Sequence, residues 1–189
     1  AALDHQVTLW PLQPPTDLDH YRRGSADSDD FLQELRDIFG RLEDEPLPDL
    51  SVFPPEILEY ESPPGTYLDA FPLLVLTTGS MQSLQDRLPE SAIDVRRFRP
   101  NLLVRADADG DQAWPELDWV GRQATLGGAT LEFVTPCPRC VMITRPVAEL
   151  PSDRSIMRTV VRDADQNLGV YATVVTPGEV HEGDELTFV

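Results

Sequence analysis

Lysine is missing from this sequence: all 15 basic residues are arginine. No residue here can form the internal Schiff base that covalent pyridoxal chemistry needs. Any anionic ligand must be held by arginine forks, backbone N–H groups or hydroxyls. Cysteine is scarce too, with two in 189 residues, which rules out a disulfide framework as the main source of stability and points to a reducing cytoplasm. Histidine occurs three times, at scattered positions (His5, His20, His181). One cysteine pair and scattered histidines do not enclose a tetrahedral zinc. No apolar run approaches the roughly 18 residues of a membrane-spanning helix, and no signal-peptide pattern opens the chain. Cation charge is short overall: 33 acidic residues against 15 arginines leave a formal net charge of −18. Such a surface repels phosphate backbones and anionic lipid, so neither nucleic acid nor membrane is an expected partner.

What is present is a chain of short apolar runs separated by turn formers. Val7–Trp10 reads as a strand ended by Pro11. Ser28 caps an expected helix in which Phe31, Leu32, Leu35, Ile38, Phe39 and Leu42 recur on one face, until the acidic run from Glu43 stops it. Pro46–Gly65 is rich in proline and reads as an extended arm, with Ile57–Tyr60 able to pair at a sheet edge. Pro72–Thr77 is a continuous apolar run of the kind found in buried strands, and Ser80 caps a helix through Leu88. Leu102–Val104 is a further strand. Gly121–Val134 reads as a hairpin turning at Gly127–Gly128. A helix around Ser155–Arg162 precedes strands at Val170–Val175 and Glu185–Val189. The fold class expected is α+β and β-rich, a barrel-like sheet with a few peripheral helices.

Three stretches carry chemistry. Thr135–Met142 holds Cys137 and Cys140 with Arg139 between them, and Val141–Thr144 reads as a strand leaving the motif. A thiol beside a fixed guanidinium is a candidate soft-metal ligand or nucleophile. A Cys-Pro-x-Cys dithiol remains an alternative, and requires a helix starting at Cys137. The second stretch, Asp94–Asn101, concentrates Arg96, Arg97, Arg99 and Asn101. The proline after Arg99 favours an extended backbone there, which places Arg97 and Arg99 on one face as a pair of forks for an oxyanion. The third, Thr77–Ser80, joins a strand to a helix start and can cradle an anion with N–H groups and hydroxyls. Asp107–Asp111 hints at calcium, but Gln112 and Asp118 stand where the loop needs glycine and a bidentate glutamate, so residues 107–118 read as a solvated acidic loop.

Together, Leu76–Ser80, Arg97–Asn101 and Cys137–Cys140, in this order, resemble the MOSC family, the molybdenum cofactor sulfurase C-terminal domain. Gly169–Ala172 and Gly183–Asp184 resemble its closing strands. The resemblance covers about residues 60–189, and residues 1–59, with one amphipathic helix, read as the tail of an N-terminal portion. It implies a MOSC β-barrel fold and a molybdenum pyranopterin cofactor (Moco). It also implies Cys140 as metal ligand and catalytic centre, with Thr77, Ser80, Arg97, Arg99, Asn101 and Arg139 holding the cofactor. By the same resemblance the activity is reduction of N-hydroxylated substrates, as in the amidoxime-reducing branch, with a separate electron-transfer protein as partner. The reductases of that branch carry a Pro-Val-Lys-Ser-like motif in their N-terminal portion, and this chain has no lysine to match it. A sulfur carrier bearing a persulfide on Cys140, loaded by a sulfur donor, is the alternative within the same resemblance. Cys137 is read as packing beside it.

Overall fold

The computed structural model of the chain describes residues 7–24, 30–106 and 112–189. The expected Ser28 cap and the Asp107–Asp111 stretch lie outside them. The chain divides into two units that interleave in sequence, one of residues 1–27 and 50–70, the other of residues 28–49 and 71–189. Residues 28–49 thus belong with the larger unit.

In the smaller unit, the expected strand at Val7–Trp10 does not form. Its residues are exposed, Leu9 at 96%, and have no ladder to join. Short helices α1 (Leu18–Tyr21) and α3 (Glu56–Glu59) are present instead. Where edge pairing at Ile57–Tyr60 was anticipated, only a single bridge forms, between Arg22 and Tyr60. Trp10, His20, Tyr21 and Tyr67 make a small aromatic cluster, and the Tyr21 hydroxyl donates to Gln13 O at 2.5 Å.

The larger unit is built on six strands: β1 (Leu73–Thr77), β2 (Leu102–Val104), β3 (Gln123–Leu126), β4 (Ala129–Pro138), β5 (Asn167–Thr176) and β6 (Leu186–Phe188). They form one sheet in the order β2-β1-β5-β4-β3-β6, with only β1–β2 parallel. β3 and β4 turn tightly at Gly127–Gly128, as the hairpin pattern predicts. The two edge strands do not pair. They curl towards each other, because Leu102 and Val104 of β2 and Leu186 and Phe188 of β6 pack on one cluster with Val75, Trp119, Phe133, Val170 and Ala172. Trp119, Phe133 and Phe188 have ring centroids 5.2–6.0 Å apart there. The sheet is a curled half-barrel, β-rich and flanked by a few helices as expected, and it stays open between β2 and β6.

Strand alternation sends neighbouring side chains to opposite faces. Val75 enters the inner cluster, while Leu76 joins Leu84, Phe98, Ile143, Ile156, Met157, Val160 and Leu168 on the helix-covered side. Two helices cover that side: α4 (Thr78–Arg87), and α5 (Ser155–Asp163), which buries Ile156, Met157, Thr159 and Val160. The cap of α4 is Thr77, whose Oγ1 accepts from Ser80 N at 3.1 Å, and not Ser80. The helix starts at Thr78 because β1 stays extended through Thr77 and delivers its hydroxyl to the first free N–H groups. Helix α2 (Phe31–Phe39) is capped by Asp30 and ends at Gly40 in a left-handed conformation, before the acidic run expected to stop it. It buries none of its residues, and Phe31 and Leu32 are more than half exposed.

The turn after β4 also differs from expectation. Val141–Thr144 is a single 3-10 turn and not a strand. Pro136 and Pro138 cannot donate to the ladder, and the β4–β5 register shifts at this point. Pairing with β5 therefore ends at Pro138, opposite Asn167.

Gly178 fixes another close approach: a Cβ there would stand 2.1 Å from Gly128 O and 2.7 Å from Ala129 N. Backbone atoms cannot move aside as side chains do. Gly178→Ala is expected to lower the unfolding free energy by about 3 kcal/mol, the upper range for overpacking, as read by denaturant titration.

Candidate functional site

Cys137 and Cys140 are three residues apart but chemically unlike. Cys137 lies within β4 and is buried at 3% exposure, whereas Cys140 is half-buried at the start of the 3-10 turn; both thiols are free. The dithiol alternative needs a helix N-terminus at Cys137, whose dipole would activate the thiol. A buried strand position supplies none. Cys140 is the sulfur with access.

Arg139, between them, is buried and binds its surroundings through three contacts. Nη1 reaches Cys137 Sγ at 3.2 Å and Leu168 O at 3.4 Å, and Nη2 donates to Phe98 O at 2.8 Å. Its Nε is buried and has no partner. The Arg139 backbone is pinned as well: its N–H donates to Gln166 O at 3.0 Å and its carbonyl accepts from Arg41 Nη2 at 3.3 Å. The peptide leading into Cys140 is therefore held on both sides.

Arg41 is the residue that the sequence pattern did not single out. It is only 6% exposed and also donates to Gln166 Oε1 at 3.1 Å and to Phe39 O. Burial pulls its guanidinium down to about 10, while negative charge at Glu45 works the other way. Its segment lies against the Cys140 turn, since a Cβ on Gly40 would lie 3.2 Å from Val141 Cγ2. Arginine after a helix C-terminus, followed by acids, reads as an ordinary surface cation, so nothing local signals this placement.

The arginine-rich stretch is not extended. Asp94 caps a 3-10 turn at Val95–Arg97 by accepting from Arg96 N at 2.9 Å. The Arg96 guanidinium holds the Asp94 carboxyl down at about 2. Consequently Arg97 and Arg99 do not share a face. Arg97 is 2% exposed and donates to three carbonyls: Ala92 at 3.0 Å, Arg145 at 3.1 Å and Pro151 at 2.7 Å. Arg99 is exposed, with φ of 53°, although a residue before proline favours extended backbone. Asn101 ties the sheet, accepting from Leu74 N through Oδ1 at 2.8 Å and donating its own N–H to Leu74 O.

Thr77 and Ser80 are both fully buried. Their hydroxyls donate to one oxygen of Glu116, at 2.6 and 2.5 Å, and the other oxygen accepts from Gly169 N at 3.1 Å. Gly169 reaches it with φ of 87°, where a Cβ would crowd Val75 O at 3.0 Å. Glu116 has no exposure at all. It sits in a 3-10 helix, Pro115–Trp119, inside the stretch read as a solvated acidic loop. The structure thus brings Cys140, Arg139, Arg97, Arg99 and Asn101 into linked segments, and commits the Thr77 and Ser80 hydroxyls to an internal carboxylate.

A test of fit for a metal-bearing, anionic cofactor comes out divided. An accessible thiol, a buried guanidinium with one unpartnered N–H, and an exposed arginine next to it suit such a group. The hydroxyl turn does not, because its donors are occupied.

The MOSC domain family model matches residues 63–187, and the chain belongs to that family. Among curated relatives, mitochondrial amidoxime reducing component 2 of Homo sapiens is 34% identical over 137 residues, covering 62% of this chain and 37% of the relative. Mitochondrial amidoxime-reducing component 1 of Homo sapiens is 27% identical over 132 residues, with the same shares. The chain thus spans little more than a third of the length of these relatives. Among solved structures, YiiM from Escherichia coli aligns with a TM-score of 0.47 at 18% identity, over 63% of this chain and 54% of that one. No helix among the described residues is long and apolar enough to cross a membrane.

Burial pushes the Glu116 carboxyl above its ordinary 4.5, against the hydrogen bonds that favour its ionised form. The folded protein holds this proton more tightly than the unfolded chain does. The group's stabilisation is fully present below the ordinary glutamate range and is lost as pH rises through the raised value. Glu116→Gln cannot ionise and lacks this dependence. Thermal melts of both proteins from about pH 4 to about pH 8 should show wild type losing ground to the variant as pH rises.

Proposed function

We propose that this chain is a molybdenum-cofactor-binding MOSC module with Cys140 as the metal ligand, serving reduction of N-hydroxylated substrates. The observation that carries the reading is Cys140, free and half-buried, next in the chain to the buried Arg139, whose Nε has no partner. Family membership and the amidoxime-reducing relatives support it. When bound, the cofactor supplies a metal centre able to take an oxygen atom from the substrate.

The chain's own residues do the holding. The Cys140 thiolate is a soft donor suited to such a metal. Arg41 holds the Arg139 carbonyl, in the peptide that leads into Cys140, and the Arg139 guanidinium ties the same segment to Phe98 and Leu168. Arg99 presents a guanidinium to solvent beside Phe98, whose carbonyl Arg139 holds. Asn101 keeps Arg99 and Pro100 at the head of β2 by its bonds to Leu74, and its amide nitrogen remains available to an acceptor. The electrons come from a separate redox protein.

Anaerobic reconstitution with the cofactor followed by metal analysis tests this. Cys140→Ser is expected to retain less than about a tenth of the wild-type molybdenum, given how poorly a hydroxyl replaces a thiolate. Cys137→Ser should retain most of it. Equal retention by wild type and Cys140→Ser rejects Cys140 as ligand. A mass gain of about 32 Da on Cys140 in the protein as isolated, one added sulfur, would instead make it a persulfide carrier.

A further inference from the structure

We propose that Glu116 is a positioning residue for the Cys140 turn, holding the Arg139 guanidinium through the single peptide unit that joins Leu168 to Gly169. What Arg139 does for a ligand rests on the function proposed above; the link to Glu116 does not.

Both ends of that peptide are engaged inside the protein. Its N–H, on Gly169, donates to Glu116 Oε1 at 3.1 Å, and its carbonyl, on Leu168, accepts from Arg139 Nη1 at 3.4 Å. A carboxylate at one end and a guanidinium at the other polarise the peptide in the same sense, so each strengthens the other's hydrogen bond. The peptide itself has little room to move. Leu168 is fully buried, and Gly169 is held at φ of 87° so close to β1 that a Cβ would meet Val75 O at 3.0 Å.

Arg139 Nη1 has a second acceptor, the Cys137 sulfur at 3.2 Å. A thiol is a weak acceptor, and the Leu168 carbonyl stands at the long end of hydrogen-bonding range. The balance between them turns on how negative that carbonyl is, and Glu116 controls this from the other side of the peptide. Three donors face the Glu116 carboxyl, from Thr77, Ser80 and Gly169, and the ionised form satisfies all of them. A proton on the carboxyl forces a hydroxyl to turn round and leaves Gly169 bonded to a neutral oxygen. The Leu168 carbonyl is then a poorer acceptor, and Nη1 moves towards Cys137. The Nε of the same guanidinium moves with it. Among the described residues it is the one buried side-chain nitrogen or oxygen with no hydrogen-bond partner. The state of an acid in the Pro115–Trp119 turn thus reaches the residue before Cys140.

The groups bonded to the Glu116 carboxyl are neutral: hydroxyls of Thr77 and Ser80, from the β1–α4 junction, and the N–H of Gly169 in β5. Arg139 meets Cys137 of β4 and Arg41 beyond α2, with Cys140 next in the chain.

Nitrogen-15 NMR of the cofactor-free chain, titrated from about pH 4 to about pH 8, tests the link. The Gly169 amide reports the ionisation of Glu116, and Arg139 Nε reports the guanidinium. In wild type both are expected to shift with one shared midpoint, above the ordinary 4.5 because burial pushes the carboxyl up. Glu116→Gln keeps the shape and an oxygen for Gly169, and should abolish both shifts, with Arg139 Nε near its low-pH position throughout. Ser80→Ala removes one donor to the carboxylate. Both midpoints should then rise together by about one pH unit, a tenfold change in proton affinity. That joint movement assigns the response to Glu116 and not to the thiol of Cys137 or Cys140. Arg97 Nε, which donates to Ala92 O, is the control and should not move. An Arg139 resonance that stays fixed while Gly169 shifts overturns the proposal, as does one that is the same in Glu116→Gln and in wild type at the alkaline end. If the Gln variant does not fold, Ser80→Ala decides. Molybdenum retention indifferent to Cys140 discards the cofactor reading and leaves this link standing. An Arg139 indifferent to Glu116 discards the link and leaves the role of Cys140 untouched.

Discussion

Backbone carbonyls that no strand or helix can satisfy set the terms for everything around Cys140. The segments that meet there are short turns, and turns leave acceptors unpaired. A buried carbonyl without a donor costs about 1–3 kcal/mol, so several together would prevent the turns from packing. Three buried arginines answer this. Arg97 takes the carbonyls of Ala92, Arg145 and Pro151, Arg139 those of Phe98 and Leu168, and Arg41 those of Phe39 and Arg139. Guanidinium suits the task because its donors fan out in one plane and reach several acceptors at once. An ammonium on a flexible stem has fewer donors and a tighter hydration shell to lose. The site is thus a set of loops fastened from inside by cations.

That arrangement divides the arginines of one motif into different roles. In Arg96–Arg99 the first pairs with Asp94 and Glu149 at the surface, the second is a buried fastener, and the last is exposed. The division follows from the 3-10 turn at Val95–Arg97, which an extended strand would not produce. The anion counterpart is Glu116. Its carboxylate gives Thr77, Ser80 and the Gly169 N–H an acceptor inside the protein, where a fully buried hydroxyl turn would otherwise need one. Burial resists its ionisation, and three donors resist its removal.

The strands were legible because their patterns are local. Leu73–Thr77, the Gly127–Gly128 hairpin and Val170–Val175 carry apolar runs and turn residues that settle the matter without reference to the rest of the chain. Helix α2 was legible too, although its apolar face stays exposed. Cys140 stood out through its neighbours Arg139 and Pro138. What the sequence did not disclose depends on long-range partners. Glu116 looks like one acid among several in a polar stretch, and only the approach of β1, α4 and β5 makes it a buried acceptor. Arg41 lies 98 residues from the Arg139 carbonyl it holds. The expected strand after Cys140 failed for a different reason: β-branched residues favour a strand, but β5 begins at Asn167, opposite Pro138, and the ladder has no partner to continue on.

The lack of lysine takes on meaning in this setting. Lysine could serve as a surface counter-ion, yet it cannot bridge three carbonyls in a plane as Arg97 does. A chain whose loops around Cys140 are fastened by buried guanidiniums uses arginine where an ammonium would not serve. The fasteners also reach the neighbouring exposed residues through the backbone. Arg97 holds the carbonyl of Arg145, and Arg139 holds that of Phe98, next to Arg99. Loosening a fastener would therefore shift the turns that carry Cys140 and Arg99, and a defect in packing there would register at the Cys140 thiol.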